Sequence, residues 1–294
     1  METTFQRSAA PSRRSATPFK PGIFAVRGLG TLIVLFWSAL VIVPLVVVLS
    51  VALKSPVDLL NNPMGWPSQF VWSNFADAWN NAALGQSLVN SVLITSCTLL
   101  GLIVCGAMAA YPLARFTGPW SQRTYLYFVA GLIVPIQLGL FPLYKEMHDL
   151  GLINTYYGVI LLYIAINLPF VIFLYTGFIK TVPRELEEAA LLDGAGPMQT
   201  FWMIVFPLLR PVTATVAITS TLSIWNDFFI PLIFLQRDGM QTLPLAIYNF
   251  VGQFNNNWSL IFASVIISSL PLIVLFLILQ RYFIKGIAAG AVRG

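Results

Sequence analysis

Long stretches without a single charged side chain dominate this sequence and restrict it to one kind of fold. No Asp, Glu, Lys or Arg occurs between Arg27 and Lys54, Asp77 and Arg115, Arg123 and Lys145, Asp149 and Lys180, or Asp238 and Arg281. Between Arg210 and Arg237 the one exception is Asp227. A bilayer core about 30 Å thick is crossed by about 20 apolar helical residues. The gaps therefore predict six spans, near 30–53, 87–113, 125–144, 154–179, 211–235 and 259–280. Backbone polar groups in lipid must be satisfied within the segment, so the spans are read as helices. The apolar runs are too long and continuous for the alternating pattern of a membrane barrel. Pro44, Pro135, Pro142, Pro169 and Pro271 lie in or near spans and are expected to kink or end them.

Composition agrees. Hydrophobic residues make up 57% of the 294 and charged residues 9%, against about 25% charged in a soluble domain. That excludes a soluble globular enzyme, and 14% aromatic residues oppose disorder. Cys97 and Cys105 are separated by about 12 Å along one helix, too far for a disulfide. The first span is too long for a cleavable signal and is expected to persist as an anchor.

The basic residues set an orientation. Thirteen fall on one side: Arg7, Arg13, Arg14, Lys20 and Arg27, then Arg115 and Arg123, then Lys180, Arg184 and Arg210, then Arg281, Lys285 and Arg293. Three fall on the other: Lys54, Lys145 and Arg237. The positive-inside rule then places both termini in the cytoplasm. The net charge of +5 is thus a topology signal, and no nucleic-acid partner is expected. Residues 1–28, rich in Ser, Pro and Arg, read as a disordered cytoplasmic tail that could touch anionic lipid. Residues 29–283 form the six-helix domain, and 284–294 a cytoplasmic C-terminal tail.

The loop 180–210 is unusual. Pro183 suits a first helical turn, and Glu185, Glu187 and Glu188 sit near its positive end. Leu186, Ala189 and Ala190 fall on one face by spacing. Gly194 and Gly196 break the helix, Pro197 opens a second, and Phe201, Ile204 and Val205 repeat the apolar spacing. The result is a helix–glycine turn–helix with an apolar stripe outside the membrane. It either lies on the bilayer surface or docks into a groove of a soluble partner.

Here the loop resembles the EAA motif of ATP-binding-cassette importer permeases. Glu188-Ala189-Ala190, Gly194, Ile204 and Pro207 match it, and Asp193, Ala195 and Pro211 extend the carbohydrate-type pattern. Phe206 stands where the family usually has leucine. Trp225-Asn226-Asp227-Phe228 followed by Pro231-Leu232 is similar to a signature of the carbohydrate-uptake permeases. The end, Gln280-Arg281-Tyr282-Phe283 through Gly294, resembles the tail of the second, smaller permease of maltose-type pairs.

The resemblance implies an all-α polytopic fold, the six-helix type I importer permease. It also implies a second permease subunit, two ATPase subunits that bind ATP and magnesium, and an extracytoplasmic binding protein that delivers sugar. This chain would supply half of the pathway and no catalysis, in a bacterial or archaeal plasma membrane. By the match, Glu188, Ala189, Ala190, Asp193 and Gly194 would couple it to the ATPase. The tail 284–294 would contact the ATPases as well.

Asp227 is the only acid inside a span and so a functional candidate. With Trp225 and Asn226 it either borders the pathway or holds the bundle together, for instance through the Ser223 hydroxyl. In the loop 236–258, Tyr248, Asn249, Asn255, Asn256 and Trp258 suit sugar hydroxyls and ring faces, and equally an interface with a partner protein. No phosphate-binding G-x-x-x-x-G-K-[ST] run is present, so no ATP site is expected in this chain. His148 has no His or Cys companions, so no metal is expected. An ion-coupled transporter is the alternative; it would want more ionisable groups within the spans.

Overall fold

A computed structural model describes residues 21–252 and 256–291, and all of its regular structure is helical apart from one isolated bridge between Val251 and Asn256. The helices are α1 (Pro21–Ala52), α2 (Pro56–Asn61), α3 (Ser73–Asn81), α4 (Leu84–Arg115), α5 (Pro119–Gly131), α6 (Leu140–Asp149) and α7 (Tyr156–Ile179). There follow α8 (Glu185–Leu192), α9 (Pro197–Thr200), α10 (Phe206–Leu208), α11 (Arg210–Trp225), α12 (Phe229–Phe234), α13 (Leu243–Ile247) and α14 (Trp258–Ala291). Residues 1–20 and Asn255 lie outside the described residues. Helix α1 begins within the segment expected to be a tail, and α14 carries helical backbone through residues 284–291.

The chain divides after Val47 into two units. In the first, α1 from Gly30 to Val46 is apolar and largely exposed, with Leu32, Val34, Phe36 and Leu45 all more than half accessible. A helix apolar on every side belongs in lipid or against other apolar helices.

In the second unit, α4, α7 and α14 are each long and apolar enough to cross a membrane. Two more crossings are broken. The stretch read as a span at 125–144 runs as α5, then turns by 89° through residues 132–135 into Ile136–Asp149. Pro135 cannot continue the preceding helix, and its own position is extended. The α9–α10 segment meets α11 at 73°. Beyond α11 the chain leaves the helix at Asn226 and resumes it at Phe229, so the predicted span 211–235 is interrupted.

Helices α4 and α7 form the largest helix–helix contact. Small residues on α4 allow it: Gly106, Ala107, Ala110 and Ala114 are buried there. A Cβ at Gly106 would stand 2.4 Å from Val171 Cγ1. In lipid such close backbone approach supplies packing that the hydrophobic effect cannot. A second cluster gathers Leu84, Trp225, Leu243 and Ala263 from α4, α11, α13 and α14. Cys97 and Cys105 are both free and exposed on α4.

Polar side chains fasten the α2–α3 end. Lys54 is fully buried, its Nζ donating to the carbonyls of Asn62 (2.5 Å) and Pro63 (3.3 Å). The Lys54 carbonyl accepts from Asn74 Nδ2 and Ser259 Oγ. On α4, Asn90 Nδ2 donates to the carbonyls of Gly239 and Gln241, while its Oδ1 accepts from Tyr156 and Gln86. Ser91 Oγ accepts from the Leu243 amide. The 236–243 segment is thereby pinned to α4, which gives Asn90 and Ser91 structural roles.

Candidate functional site

At the far end of α4 sits the loop 180–210. Helix α8 ends where Gly194 takes φ +87°. The Gly194 amide donates to the Leu191 carbonyl and the Ala195 amide to the Ala190 carbonyl. This paired closure needs a residue that tolerates a left-handed backbone, which is why glycine stands there. The Gly196 amide donates to Gln199 Oε1, and Pro197 opens α9. Residues Phe201–Val205 then widen into a π-helical turn.

The loop has two faces. Glu187, Ala190, Thr200, Phe201 and Val205 point inward and are buried. Glu188, Ala189, Leu192, Asp193, Gly194 and Met198 are exposed, and Leu192 is 89% accessible. Spacing had put Leu186, Ala189 and Ala190 on one face; Leu186 and Ala189 are in fact exposed and only Ala190 turns in. Of the five residues expected to couple, four lie on the open face, and Ala190 packs beneath them.

A buried polar cluster holds the inner face to α4. The Arg115 guanidinium pairs with the Glu187 carboxylate, Nε donating to Oε1 at 2.7 Å, and each side chain is 11% accessible. The Tyr111 hydroxyl donates to Glu187 Oε2 at 2.7 Å. Arg115 Nη2 also donates to the Val182 carbonyl, and Arg184 Nη2 donates back to the Arg115 carbonyl at the end of α4. Next to it the Tyr111, Phe201, Trp202 and Phe206 rings pack in tilted and edge-to-face pairs, with centroids 4.9–5.1 Å apart in succession. Sequence reasoning passed over Glu187 because its partners lie more than seventy positions upstream. The one signal was a base closing the span near 87–113 and an acid in the loop after the span near 154–179.

The second feature is a cavity of about 380 Å³ where the two interrupted crossings meet. Gln137 follows the bend between α5 and α6; Ser223, Asn226 and Asp227 come from the end of α11 and its break; Tyr163 and Asn167 come from α7. The Tyr163 hydroxyl donates to Asp227 Oδ2 at 2.8 Å, and the Phe229 amide donates to Oδ1 at 2.9 Å. The Asp227 carboxylate thus ties α11 to α7 through Tyr163, where the Ser223 hydroxyl was expected. Asn226 Nδ2 donates to the Leu222 carbonyl of its own helix. Trp225 stays out of the cavity; its Nε1 donates to the Ser268 carbonyl of α14.

The outer-loop residues are dispersed. Asn249, Asn256 and Trp258 help line a separate cavity of about 720 Å³ beside α2. Asn249 Nδ2 donates to Gln241 Oε1, and Trp258 stacks on Phe262. Tyr248 packs against the Phe228 ring instead. In the same region Asp58 lies at the surface. The Ser68 hydroxyl and then the Ser68 amide donate to its carboxylate (2.7 and 2.9 Å), holding its pKa below the ordinary 3.8.

Residues 102–289, which carry both the loop and the cavity, match the family described as binding-protein-dependent transport system inner membrane component. The chain belongs to that family. It is a multi-pass membrane permease of an importer whose substrate is delivered by a binding protein. It is 41% identical over 253 residues to the melibiose/raffinose/stachyose import permease protein MelC of Bacillus subtilis, covering 86% of this chain and 91% of that one. It is 34% identical over 263 residues to the diacetylchitobiose uptake system permease protein NgcG of Streptomyces coelicolor, covering 89% and 87%. The fold matches a chain in the crystal structure of a bacterial ABC transporter that imports the acidic polysaccharide alginate, with TM-score 0.78 over 91% of this chain and 100% of that one, at 19% identity. That likeness establishes the type I importer permease architecture.

Proposed function

We propose that this permease forms half of the pathway of an ATP-driven sugar importer and is driven through the α8–α9 loop. The observation that carries the reading is the loop's division into an anchored inner face and an open outer one. Glu188, Ala189, Asp193 and Gly194 stand on a rigid, glycine-closed helix end, surrounded by exposed Leu192 and Met198. A helix that presents apolar and acidic groups, and is itself bolted to a span, can pass a partner's movement into the membrane. The partners are a second permease, two ATPases that hold the nucleotide and its magnesium, and the binding protein. Both termini then face the cytoplasm with the loop, in keeping with the basic-residue count. Relatives named for the import of melibiose, raffinose, stachyose and diacetylchitobiose support a di- or oligosaccharide cargo.

Reconstitution tests this. The complete importer in liposomes should accumulate a neutral trisaccharide only with binding protein outside and ATP inside. Uptake driven by a proton or sodium gradient without ATP would instead favour the ion-coupled reading.

A further inference from the structure

We infer that the cavity between the two helix breaks is a transit subsite for an uncharged sugar ring, resting on the importer reading above. Non-helical backbone at membrane depth is tolerated only where protein covers it or a water-filled cavity receives it. Two independent breaks, at residues 132–135 and 226–228, converge on one space. The chain therefore gives up helical hydrogen bonds twice at the same place, and the space is lined by six polar side chains.

Those side chains retain bonding capacity. Each Asp227 oxygen accepts one bond, while a carboxylate has about four acceptor sites. Asn226 and Asn167 spend their amide nitrogens on backbone carbonyls, leaving Oδ1 to accept. The Gln137 and Ser223 side chains make no hydrogen bond among the described residues, so an amide and a hydroxyl remain to donate and accept. A surplus of acceptors facing a few donors fits a ring of hydroxyl groups, which donate to carboxylate and amide oxygens. The volume of about 380 Å³ is at the small end for ligand sites, which suits one ring at a time. The single formal charge is the Asp227 carboxylate, with no Lys or Arg in the lining. A sugar bearing a carboxylate would meet repulsion with no compensating cation. The subsite therefore belongs to neutral saccharides.

The test uses the assembled importer in detergent, with Cys97→Ala, Cys105→Ala and Ser223→Cys. A small hydrophilic thiosulfonate should label Ser223→Cys faster than a Leu100→Cys control on the exposed face of α4. A neutral trisaccharide at ten times its half-saturating concentration should slow that labelling about tenfold, and an equal concentration of a uronate-containing trisaccharide should leave it unchanged. A second variant, Gln137→Leu, should raise the KM of uptake while ATPase co-purification and kcat stay near wild type. Labelling as slow as the control, labelling that sugar does not slow, or equal protection by the uronate overturns the proposal. If ATP-driven uptake is normal under those outcomes, only the subsite falls. If uptake of any sugar is absent, the importer reading falls with it.

Discussion

Replacing Glu187 with alanine removes the acid from a buried three-way junction and leaves the Arg115 guanidinium facing the Val182 carbonyl with no counter-charge. Breaking a buried ion pair by deleting one member costs roughly 3–5 kcal/mol. Both side chains keep 11% of their accessibility, so the low end applies. About 3 kcal/mol corresponds to a shift of about 100-fold in the balance between the docked and undocked loop. Glu187→Gln should cost less, since an amide oxygen still accepts from Tyr111 or Arg115. The paired change Arg115→Met with Glu187→Leu should recover most of the stability, because apolar isosteres often replace a buried pair at little cost. Trp202 in the loop is a natural fluorophore, its ring 4.9 Å from those of Phe201 and Phe206. Urea titration of the detergent-purified importer, followed by its emission, reads loop release directly. Glu187→Ala should release the loop at lower urea than wild type, and sugar moved per ATP should fall while ATP hydrolysis persists. If Glu187→Ala and Arg115→Ala lower the midpoint additively in a double-mutant cycle, the two residues do not act as a pair and the reasoning fails.

Three further outcomes follow from the packing and polar contacts. Gly106→Leu drives a side chain into Val171, 2.4 Å from the Cβ position; overpacking of about 1–3 kcal/mol should speed thermal inactivation of the purified complex, with Gly106→Ala milder. Asn90→Ala frees the Gly239 and Gln241 carbonyls at about 2 kcal/mol, so trypsin should cut after Arg237 faster than in wild type. The Asp58 carboxylate, held below its ordinary pKa by Ser68, stabilises its loop fully above pH 3.8 and loses that contribution as pH falls through the lowered value. Hydrogen exchange at the Ser68 amide, corrected for intrinsic pH dependence, should therefore lose protection only below that range, and Asp58→Asn should be less protected at neutral pH.

The spans were legible because lipid leaves the backbone little choice, so charge-free length translates into helix. The 89° break within 125–144 was not, since hydropathy counts apolar residues and cannot see a cavity built by residues 163–167 and 223–227. Gly194 was legible because a left-handed helix end asks for glycine whatever surrounds it. The facing of α8 was misjudged for the opposite reason. Periodicity favoured its leucine and alanines, while the partners that draw Glu187 inward, Tyr111 and Arg115, sit on another helix. Asp227 was singled out by its lone charge, yet its partner Tyr163 belongs to α7 and no local pattern points to it. Lys54 was counted as a loop charge; it does follow α1, but it is fully buried there and donates to the Asn62 and Pro63 carbonyls, which no local pattern announces.

The central claim is that the open face of the α8–α9 loop is where the ATPases attach. The direct measurement is co-purification of the ATPase subunits with wild type, Glu188→Arg and Gly194→Pro permease from detergent. Proline cannot adopt φ +87°, and arginine reverses the charge of an exposed acid on the docking face. The account predicts that wild type retains the ATPases, and that both variants insert into the membrane normally but lose them and cease uptake. ATPase retention and uptake by both variants at wild-type levels would contradict it.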